Sequence, residues 1–226
     1  MSSPDLSSFK EGGAQFSANE QELKERIASI RMLIFDWDGV FNNGFKNGSG
    51  SSHFSEIDSM GINLLRYGLY QLGGNLPRTY IISGASNASA RAFAEREHFD
   101  GVYLNYKNKL DAFQRMLEKH RVKKEETAFF FDDVLDLGLA EQVGFRVFMG
   151  NGYSHAFSAF VQKKKLWDLI PARSGKDHGL RESCDFMLTA LGIYDNVVED
   201  RLNYTDVYSE YWKKRQSIPT RYQEAQ

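Results

Sequence analysis

The sequence has few of the features that mark secreted or membrane proteins. Its 226 residues include a single cysteine, Cys184, so an internal disulfide framework is excluded. No apolar run approaches the roughly 20 residues of a membrane-spanning helix. The N-terminus is rich in Ser, Gly and Glu and lacks the apolar core of a signal peptide. These absences predict a cytoplasmic protein without a membrane partner.

An excess of positive charge is missing as well. The formal net charge is −2, which argues against a nucleic-acid partner. The five histidines show no ligand spacing, so a zinc site is not expected. The hydrophobic fraction of 42% is enough for a proper core, and the length suits one α/β domain with extensions.

Short apolar runs alternate with helical patterns along the middle of the chain. This alternation predicts a parallel sheet that is covered by helices on both faces. Strands are predicted at residues 32–36, 79–82, 102–104, 127–131 and 146–149. Helices are predicted at residues 18–30, 59–72, 86–97, 109–120, 135–143 and 180–191.

The segments outside this pattern divide the chain into three parts. Residues 1–30 form an N-terminal extension, of which 1–17 are expected to be poorly ordered and the rest helical. Residues 31–192 form the α/β domain. Residues 193–226 form a tail rich in aromatic residues, with a helix expected around 203–215 that packs on the domain or on another subunit.

The segment after the first strand mixes aromatic residues with Asn, Gly and Ser. Its run Asn47-Gly48-Ser49-Gly50 is a strong turn signal between two short extended stretches. It predicts a small β-hairpin flap within residues 40–57, with a plain loop as the alternative. Such a hairpin would overhang the end of the first strand, in its own subunit or in a neighbour.

Two aspartates, Asp36 and Asp38, follow the first strand one residue apart. Alternate side chains of an extended segment share a face, so both can point into one site while Trp37 packs behind the strand. Two carboxylates this close need a cation, a shared proton or water, and oxygen ligands suit Mg²⁺. Gly39 permits a sharp turn close to a ligand. Taken alone, Asp-x-Asp-Gly is also an ordinary strand-to-turn signal.

Polar residues follow two more predicted strands, at Ser83-Gly84 and at Asp132-Asp133. In open α/β sheets, ligands bind outside the carboxyl ends of the strands. Each feature alone has an ordinary explanation, such as a turn, a helix cap or a solvated lysine. Together they suggest phosphoryl transfer, with Asp36 as the nucleophile and Asp38 as the general acid and base.

The remaining roles follow from the charge of a phosphoryl group. Mg²⁺ is expected on Asp36, Asp38 and Asp132, and Lys109 would add a second positive charge. The Ser83 hydroxyl and neighbouring N–H groups would hold phosphate oxygens. Asp133 and Asp136 are expected to support the metal's waters or Lys109.

These residues resemble the haloacid dehalogenase superfamily of aspartate-nucleophile phosphatases. More narrowly, residues 31 to 192 resemble the 3-deoxy-D-manno-octulosonate 8-phosphate phosphatase group, which has little or no cap domain. The superfamily motifs stand as Asp36-Trp37-Asp38-Gly39-Val40, Ser83-Gly84, Asn108-Lys109 and Asp132-Asp133 with Asp136. The narrower resemblance rests on the flap, on Asp58, and on His178-Gly179-Leu180-Arg181-Glu182 followed by Cys184-Asp185.

The resemblance implies a Rossmann-like fold without a large cap domain, Mg²⁺ dependence and hydrolysis of a phosphorylated 2-keto sugar acid. The substrate would be 3-deoxy-octulosonate 8-phosphate or a nine-carbon sugar acid 9-phosphate. It also implies a homotetramer whose hairpins cover neighbouring active sites. Phosphate or substrate binding is implied for Gly39, Gly84, Asn108 and Arg181.

Some positions depart from the group's usual pattern. Ala85 stands where Arg is usual, Phe131 where Gly is usual, and Asn42-Asn43 where Thr or Ser and then Asp are usual. The departures leave the sugar undecided, and another small phosphoester is an alternative substrate. A further alternative is a non-catalytic module that uses the aromatic tail as a contact surface.

Overall fold

In the computed structural model, which describes residues 5–150, 152 and 154–225, eight strands form one sheet. They are β1 (Gln15–Phe16), β2 (Met32–Phe35), β3 (Arg78–Ile82), β4 (Gly101–Leu104), β5 (Thr127–Phe131), β6 (Phe145–Phe148), β7 (Leu169–Ile170) and β8 (Arg221–Glu224). Their order is β1-β7-β6-β5-β2-β3-β4-β8. Only the β1–β7 pair is antiparallel among these strands. The predicted parallel sheet is confirmed.

The central strand β2 shows why the sheet is covered on both faces. All four of its side chains are buried. Leu33 and Phe35 point into one apolar cluster, whereas Met32 and Ile34 point into a second cluster on the other face. This alternation is the two-residue period of a strand, applied to a run that is apolar throughout.

Helices cover the two faces unequally. Those that contribute to the first cluster are α1 (Leu6–Glu11), α2 (Glu20–Ala28), α3 (Glu56–Gly73), α4 (Ala88–Arg96), α8 (Gly179–Leu191), α9 (Tyr194–Asn203) and α10 (Asp206–Gln216). Those that contribute to the second are α5 (Lys109–His120), α6 (Leu137–Ala140) and α7 (His155–Lys163). No helix in the described ranges combines the length and apolar character that crossing a bilayer would require.

The prediction that residues 1–17 are poorly ordered is wrong for the described part, residues 5–17. Asp5 caps α1 through its carboxylate, which accepts a hydrogen bond from the Ser7 backbone N–H at 3.1 Å. Phe9 packs edge-on against Phe186 of α8, and β1 pairs with β7. A few apolar side chains therefore order a segment whose average composition is polar. Residues 1–4 lie outside the described residues.

The predicted β-hairpin does not form. Residues 40–55, all of which are described, contain no strand and are called the flap segment below. The Asn47 carboxamide oxygen accepts hydrogen bonds from the backbone N–H groups of Ser49 and Ser51, both at 3.0 Å. Asn42 binds the Gly44 N–H in the same way at 2.8 Å. These local side-chain bonds compete with a strand ladder, so the alternative of a plain loop is correct.

The aromatic tail folds back onto the domain. The helix expected around 203–215 is α10, but α9 and β8 were not predicted. The Tyr211 hydroxyl of α10 donates a hydrogen bond to the Asn63 carbonyl of α3 at 3.1 Å, and Tyr208 packs edge-on against Tyr67. Strand β8 extends the sheet beyond β4. The tail thus contributes to the core and to one edge of the sheet.

Candidate active site

Three neighbouring strands, β5, β2 and β3, bring the predicted site residues to one edge of the sheet. In the register, Phe35 pairs with Phe130 on one side and with Ile81 on the other. Asp36 follows Phe35 directly, whereas Asp132 and Ser83 come two residues after Phe130 and Ile81. The chain runs from β2 to β3 and β4 on one side, then continues with β5 to β7 on the other. The site therefore lies at the switch in strand order, where such sheets bind ligands.

A cavity of about 940 Å³ opens at this edge. It is bordered by strand ends, by the flap segment and by the loop before α8. Most of the predicted site residues line it, namely Asp36, Asp38, Gly39, Ser83, Gly84, Lys109, Asp132, Asp133 and Asp136.

Lys109 is the buried cation of the site. Its side chain is 3% exposed; the Nζ atom lies 2.5 Å from Oδ1 of Asp36 and also contacts Oδ1 of Asp136. Burial alone would lower the pKa of Lys109, but the charges of Asp36 and Asp136 outweigh it, so the pKa is raised. The side chain is therefore a permanent ammonium group. Asn108 caps α5 and so fixes the start of the helix at Lys109.

Asp36, Asp132 and Asp136 form a cluster in which one oxygen from each lies within 4.8 Å of the others. Desolvation raises the pKa of Asp36 to about 7, although Lys109 opposes the shift. Desolvation and then the charge of Asp36 raise the pKa of Asp132 to about 9. The three carboxylates repel one another at this distance, and Lys109 supplies one positive charge beside them. This donor set fits a divalent cation that prefers oxygen ligands.

The backbone at Gly39 approaches this cluster closely. Its φ angle is +89°, and a Cβ atom there would lie 1.8 Å from an Asp132 carboxylate oxygen. Only glycine fits this position without moving Asp132. Gly175 makes a similar approach from the loop before α8, because its Cβ would lie 2.0 Å from the Gly39 carbonyl oxygen. The two glycines let the loops close around the acidic cluster.

The Asp38 side chain lies outside this cluster, and its expected place among the metal ligands stays a prediction. Its Oδ1 accepts a hydrogen bond from the Ser52 hydroxyl at 2.5 Å, and its Oδ2 lies 3.0 Å from Nζ of Lys46. Both partners belong to the flap segment. Asp136 takes the third position in the cluster, because the turn after β5 brings it back beneath Asp132.

Trp37 is fully buried and stacks on Phe41 with ring centroids 4.5 Å apart. This confirms the expectation that its side chain packs behind the strand and does not line the cavity. Its indole N–H donates a hydrogen bond to Ser52 at 3.0 Å.

Two residues expected to bind substrate do not line the cavity. The Asn108 side chain accepts from the Leu110 backbone N–H at 3.3 Å and donates to Asp111 at 3.0 Å, so it serves the start of α5. The Arg181 guanidinium binds both carboxylate oxygens of Asp185 through Nε, at 2.9 and 2.8 Å. It lines a separate cavity of about 450 Å³ near α1. Neither side chain faces the cavity of its own subunit, and their assignment to the substrate stays a prediction.

Sequence reasoning missed several residues near the site. Lys46 and Ser52 contact Asp38, and Lys176 with Asp177 lines the cavity. Their signal is weak, because lysines and serines are common in loops. The position of the 174–179 loop after β7 was the available clue, since loops that follow parallel strands gather at one edge.

No protein-family model matches the chain. Among curated proteins, the 3-deoxy-D-manno-octulosonate 8-phosphate phosphatase of Salmonella typhi is 30% identical over 177 residues, which cover 75% of this chain and 85% of that protein. Among solved structures, a HAD superfamily (subfamily III A) hydrolase from Legionella pneumophila is 27% identical with a TM-score of 0.66, over 81% of this chain and 95% of that chain.

A further solved structure shares the fold. The 3-deoxy-D-manno-octulosonate 8-phosphate phosphatase of Moraxella catarrhalis, in complex with magnesium, phosphate and KDO, is 23% identical with a TM-score of 0.66. The match covers 81% of this chain and 99% of the Moraxella chain. The 30% identity to the Salmonella protein and the fold shared with the Legionella hydrolase point to the same family. The chain belongs to the 3-deoxy-D-manno-octulosonate 8-phosphate phosphatase family of the haloacid dehalogenase superfamily, a family of phosphoric monoester hydrolases.

Proposed function

We propose that the protein is a Mg²⁺-dependent phosphatase that hydrolyses a phosphorylated 2-keto sugar acid through an aspartyl-phosphate at Asp36. The substrate would be 3-deoxy-octulosonate 8-phosphate or a related nine-carbon sugar acid 9-phosphate. The observation that carries this proposal is the placement of Asp36 at the cavity, held by buried Lys109 beside Asp132 and Asp136.

In the first half-reaction, a carboxylate oxygen of Asp36 attacks phosphorus, and the bond between phosphorus and the sugar oxygen breaks. Lys109 contacts Oδ1 of Asp36, which orients the carboxylate for attack through its other oxygen. The leaving alkoxide takes a proton from Asp38. Product release then leaves a phosphoryl group on Asp36.

In the second half-reaction, Asp38 accepts a proton from a water molecule that attacks phosphorus. The bond between phosphorus and Asp36 breaks, which gives inorganic phosphate and restores the carboxylate. The Ser83 hydroxyl and the backbone at Gly84 line the cavity and are suited to hold the phosphate oxygens. Ser83 is 2% exposed, and its hydroxyl oxygen accepts a hydrogen bond from the Ala85 backbone N–H at 3.3 Å.

Asp36, Asp132 and Asp136 would hold Mg²⁺, which when bound neutralises charge on the phosphoryl oxygens. The acidic cluster supports this assignment, because one carboxylate oxygen from each of the three residues lies within 4.8 Å of the others. The magnesium and phosphate in the Moraxella relative support the same choice of ion.

Recognition of an anionic sugar needs a cation away from the phosphate. Lys176 lines the cavity and is 61% exposed, with Asp177 4.0 Å away. An exposed lysine of this kind contributes only modestly to the free energy of binding. We assign it to the carboxylate of the sugar acid.

A homotetramer is also proposed from the family resemblance. Phe45 on the flap segment is 79% exposed at the cavity rim, which supports a contact with another copy of the chain.

A phosphatase for a different small phosphoester is the second candidate. Ala85 lines the cavity where an arginine is usual in the family, so one cationic substrate contact is replaced by open space. The non-catalytic alternative is less well supported, because the described tail residues, 193–225, pack on α3 and β4 and none of them lines the cavity.

The test is inorganic phosphate release with Mg²⁺ from a panel of esters. It includes 3-deoxy-octulosonate 8-phosphate, a nine-carbon keto sugar acid 9-phosphate, simple sugar phosphates and p-nitrophenyl phosphate. A strong preference for one keto sugar acid phosphate, lost with EDTA, is the expected result. Release from the generic esters alone would rule out the assigned substrate. No release by folded protein would rule out the phosphatase activity.

A further inference from the structure

Ser52 is buried although it belongs to a largely exposed loop. Its side chain is 1% exposed, whereas residues 43–49 of the same flap segment are all exposed. Its hydroxyl group lies between three partners. It accepts hydrogen bonds from the indole N–H of Trp37 at 3.0 Å and from Nδ2 of Asn87 at 2.8 Å. It donates to Oδ1 of Asp38 at 2.5 Å.

The direction of these hydrogen bonds is fixed by chemistry. An indole N–H can only donate. The carboxamide oxygen of Asn87 accepts from the backbone N–H groups of Ser89 and Ala90 at 3.0 and 3.2 Å, so its NH₂ group must face Ser52. A hydroxyl has one proton and two lone pairs, and both lone pairs are taken. The proton of Ser52 therefore goes to Asp38.

This arrangement makes the two oxygens of Asp38 unequal. Oδ1 is a permanent acceptor for the buried Ser52 hydroxyl, so a proton carried by Asp38 must sit on Oδ2. Oδ2 faces Lys46, whose side chain is 33% exposed and can move aside when a substrate enters. Oδ2 is thus the atom through which protons are exchanged.

We propose that Ser52 is a positioning residue that holds Asp38 in the orientation for proton transfer through Oδ2. The inference deepens the proposed phosphatase function and rests on it. The two side chains that donate to the Ser52 hydroxyl belong to rigid parts of the fold, because Trp37 is packed in the core and Asn87 caps helix α4. When the residues that hold a catalytic group in place are removed, the reaction slows even though the catalytic group itself is still present.

Leaving-group dependence separates this role from a structural one. An alkyl leaving group of a sugar phosphate needs the proton of Asp38, whereas p-nitrophenolate leaves without it. For Ser52→Ala we expect kcat/KM with a sugar phosphate, which reports only the steps up to the aspartyl-phosphate, to fall by about 10- to 100-fold, and kcat/KM with p-nitrophenyl phosphate by less than about threefold. Because Asp38 also serves hydrolysis of the aspartyl-phosphate, kcat should fall for both esters.

Asn87→Asp supplies an independent variant in which Ser52 is intact. The new carboxylate keeps an acceptor for the cap of α4 but presents an oxygen to Ser52 in place of an N–H donor. Asp38 and the new carboxylate then compete for the single Ser52 proton. The same selective loss with the sugar phosphate is expected. Ser51→Ala is the matched control, since the network does not use that hydroxyl group, and it should keep the wild-type ratio of the two rates.

Melting temperatures, with and without Mg²⁺, report whether each variant is folded. An equal loss of kcat/KM for both esters in folded Ser52→Ala, or a wild-type ratio of the two kcat/KM values in folded Asn87→Asp, overturns the positioning role and leaves the phosphatase intact. If Ser52→Ala does not fold, the ratio measured for Asn87→Asp decides. Wild-type protein that releases phosphate from neither ester overturns the phosphatase and this role together.

Discussion

The active site has two halves that are built differently. The strand half consists of Asp36, Lys109, Asp132 and Asp136, which are carried by the ends of β2 and β5 and by the start of α5. The loop half consists of Asp38 with its partners Ser52 and Lys46 in the flap segment. The first half is fixed by strand register and burial, whereas the second is fixed by hydrogen bonds between side chains.

The difference suggests a division of labour. The strand half concentrates negative charge around one buried ammonium, which suits metal binding and nucleophilic attack. The loop half holds a carboxylate close to solvent, which suits proton exchange with a leaving group and with water. Variants of the strand half should therefore abolish the chemistry, and variants of the loop half should change its dependence on the substrate.

The largest effect is expected for Asp36→Asn. The amide is nearly isosteric but cannot form the aspartyl-phosphate, so phosphate release from every ester should fall by about 10³-fold or more. Folding should be preserved, because the change removes one charge from a crowded acidic cluster. Phosphate release and a thermal melt check both statements. A wild-type rate would rule out Asp36 as the nucleophile.

Lys109→Met should lower both activity and stability. The variant leaves Asp36 and Asp136 without their buried cation. Activity should fall by about 10²- to 10³-fold, and the free energy of unfolding by about 3 to 5 kcal/mol without metal. Urea unfolding and phosphate release measure the two effects. Lys107→Met is the control, because Lys107 is exposed two residues away and should change neither quantity. Equal stability of the two variants would contradict the proposed role of the buried ammonium.

Metal binding should be visible without any substrate. Saturating Mg²⁺ should raise the melting temperature of the wild-type protein by about 5 to 10 °C, since the proposed metal site exists only in the folded protein. Asp132→Asn removes one carboxylate of that cluster and should lose most of the increase. Sodium at the same ionic strength is the control for screening. An increase of equal size in both proteins would place the ion elsewhere.

The smallest effect is expected at the mouth of the cavity. Lys176→Met should raise KM for a keto sugar acid phosphate by about two- to fivefold, because an exposed charge pair contributes up to about 1 kcal/mol. KM for p-nitrophenyl phosphate, which carries no carboxylate, should stay constant. A steady-state comparison of the two esters gives the answer, and equal changes for both would assign Lys176 to the phosphate.

The strand half could be predicted from the sequence because its placement depends on where the predicted strands end. Buried strands that end in Asp36, Ser83 and Asp132 must present those residues at one edge of a parallel sheet. The position of Asp38 could not be predicted in the same way, since its partners, Ser52 and Lys46, come from a segment without regular structure.

Other errors have the same physical origin. The turn signal at Asn47 was real, but its carboxamide satisfies the local backbone N–H groups and no ladder forms. The resemblance implies substrate contacts for Arg181 and Asn108, and the structure shows each side chain paired with a residue of its own helix. Side-chain pairing over one turn of helix is common, and the sequence alone does not show which partner a polar residue takes.

The central claim is that the strand half forms a covalent intermediate on Asp36. The most direct measurement is rapid acid quenching of Asp38→Ala during reaction with ³²P-labelled p-nitrophenyl phosphate and Mg²⁺. This variant should accumulate phosphoprotein, because the leaving group needs no proton but hydrolysis of the intermediate needs the missing base. The account predicts hydroxylamine-labile label that disappears when Asp36→Asn is added. Turnover without labelled protein, or label that persists in the double variant, would contradict it.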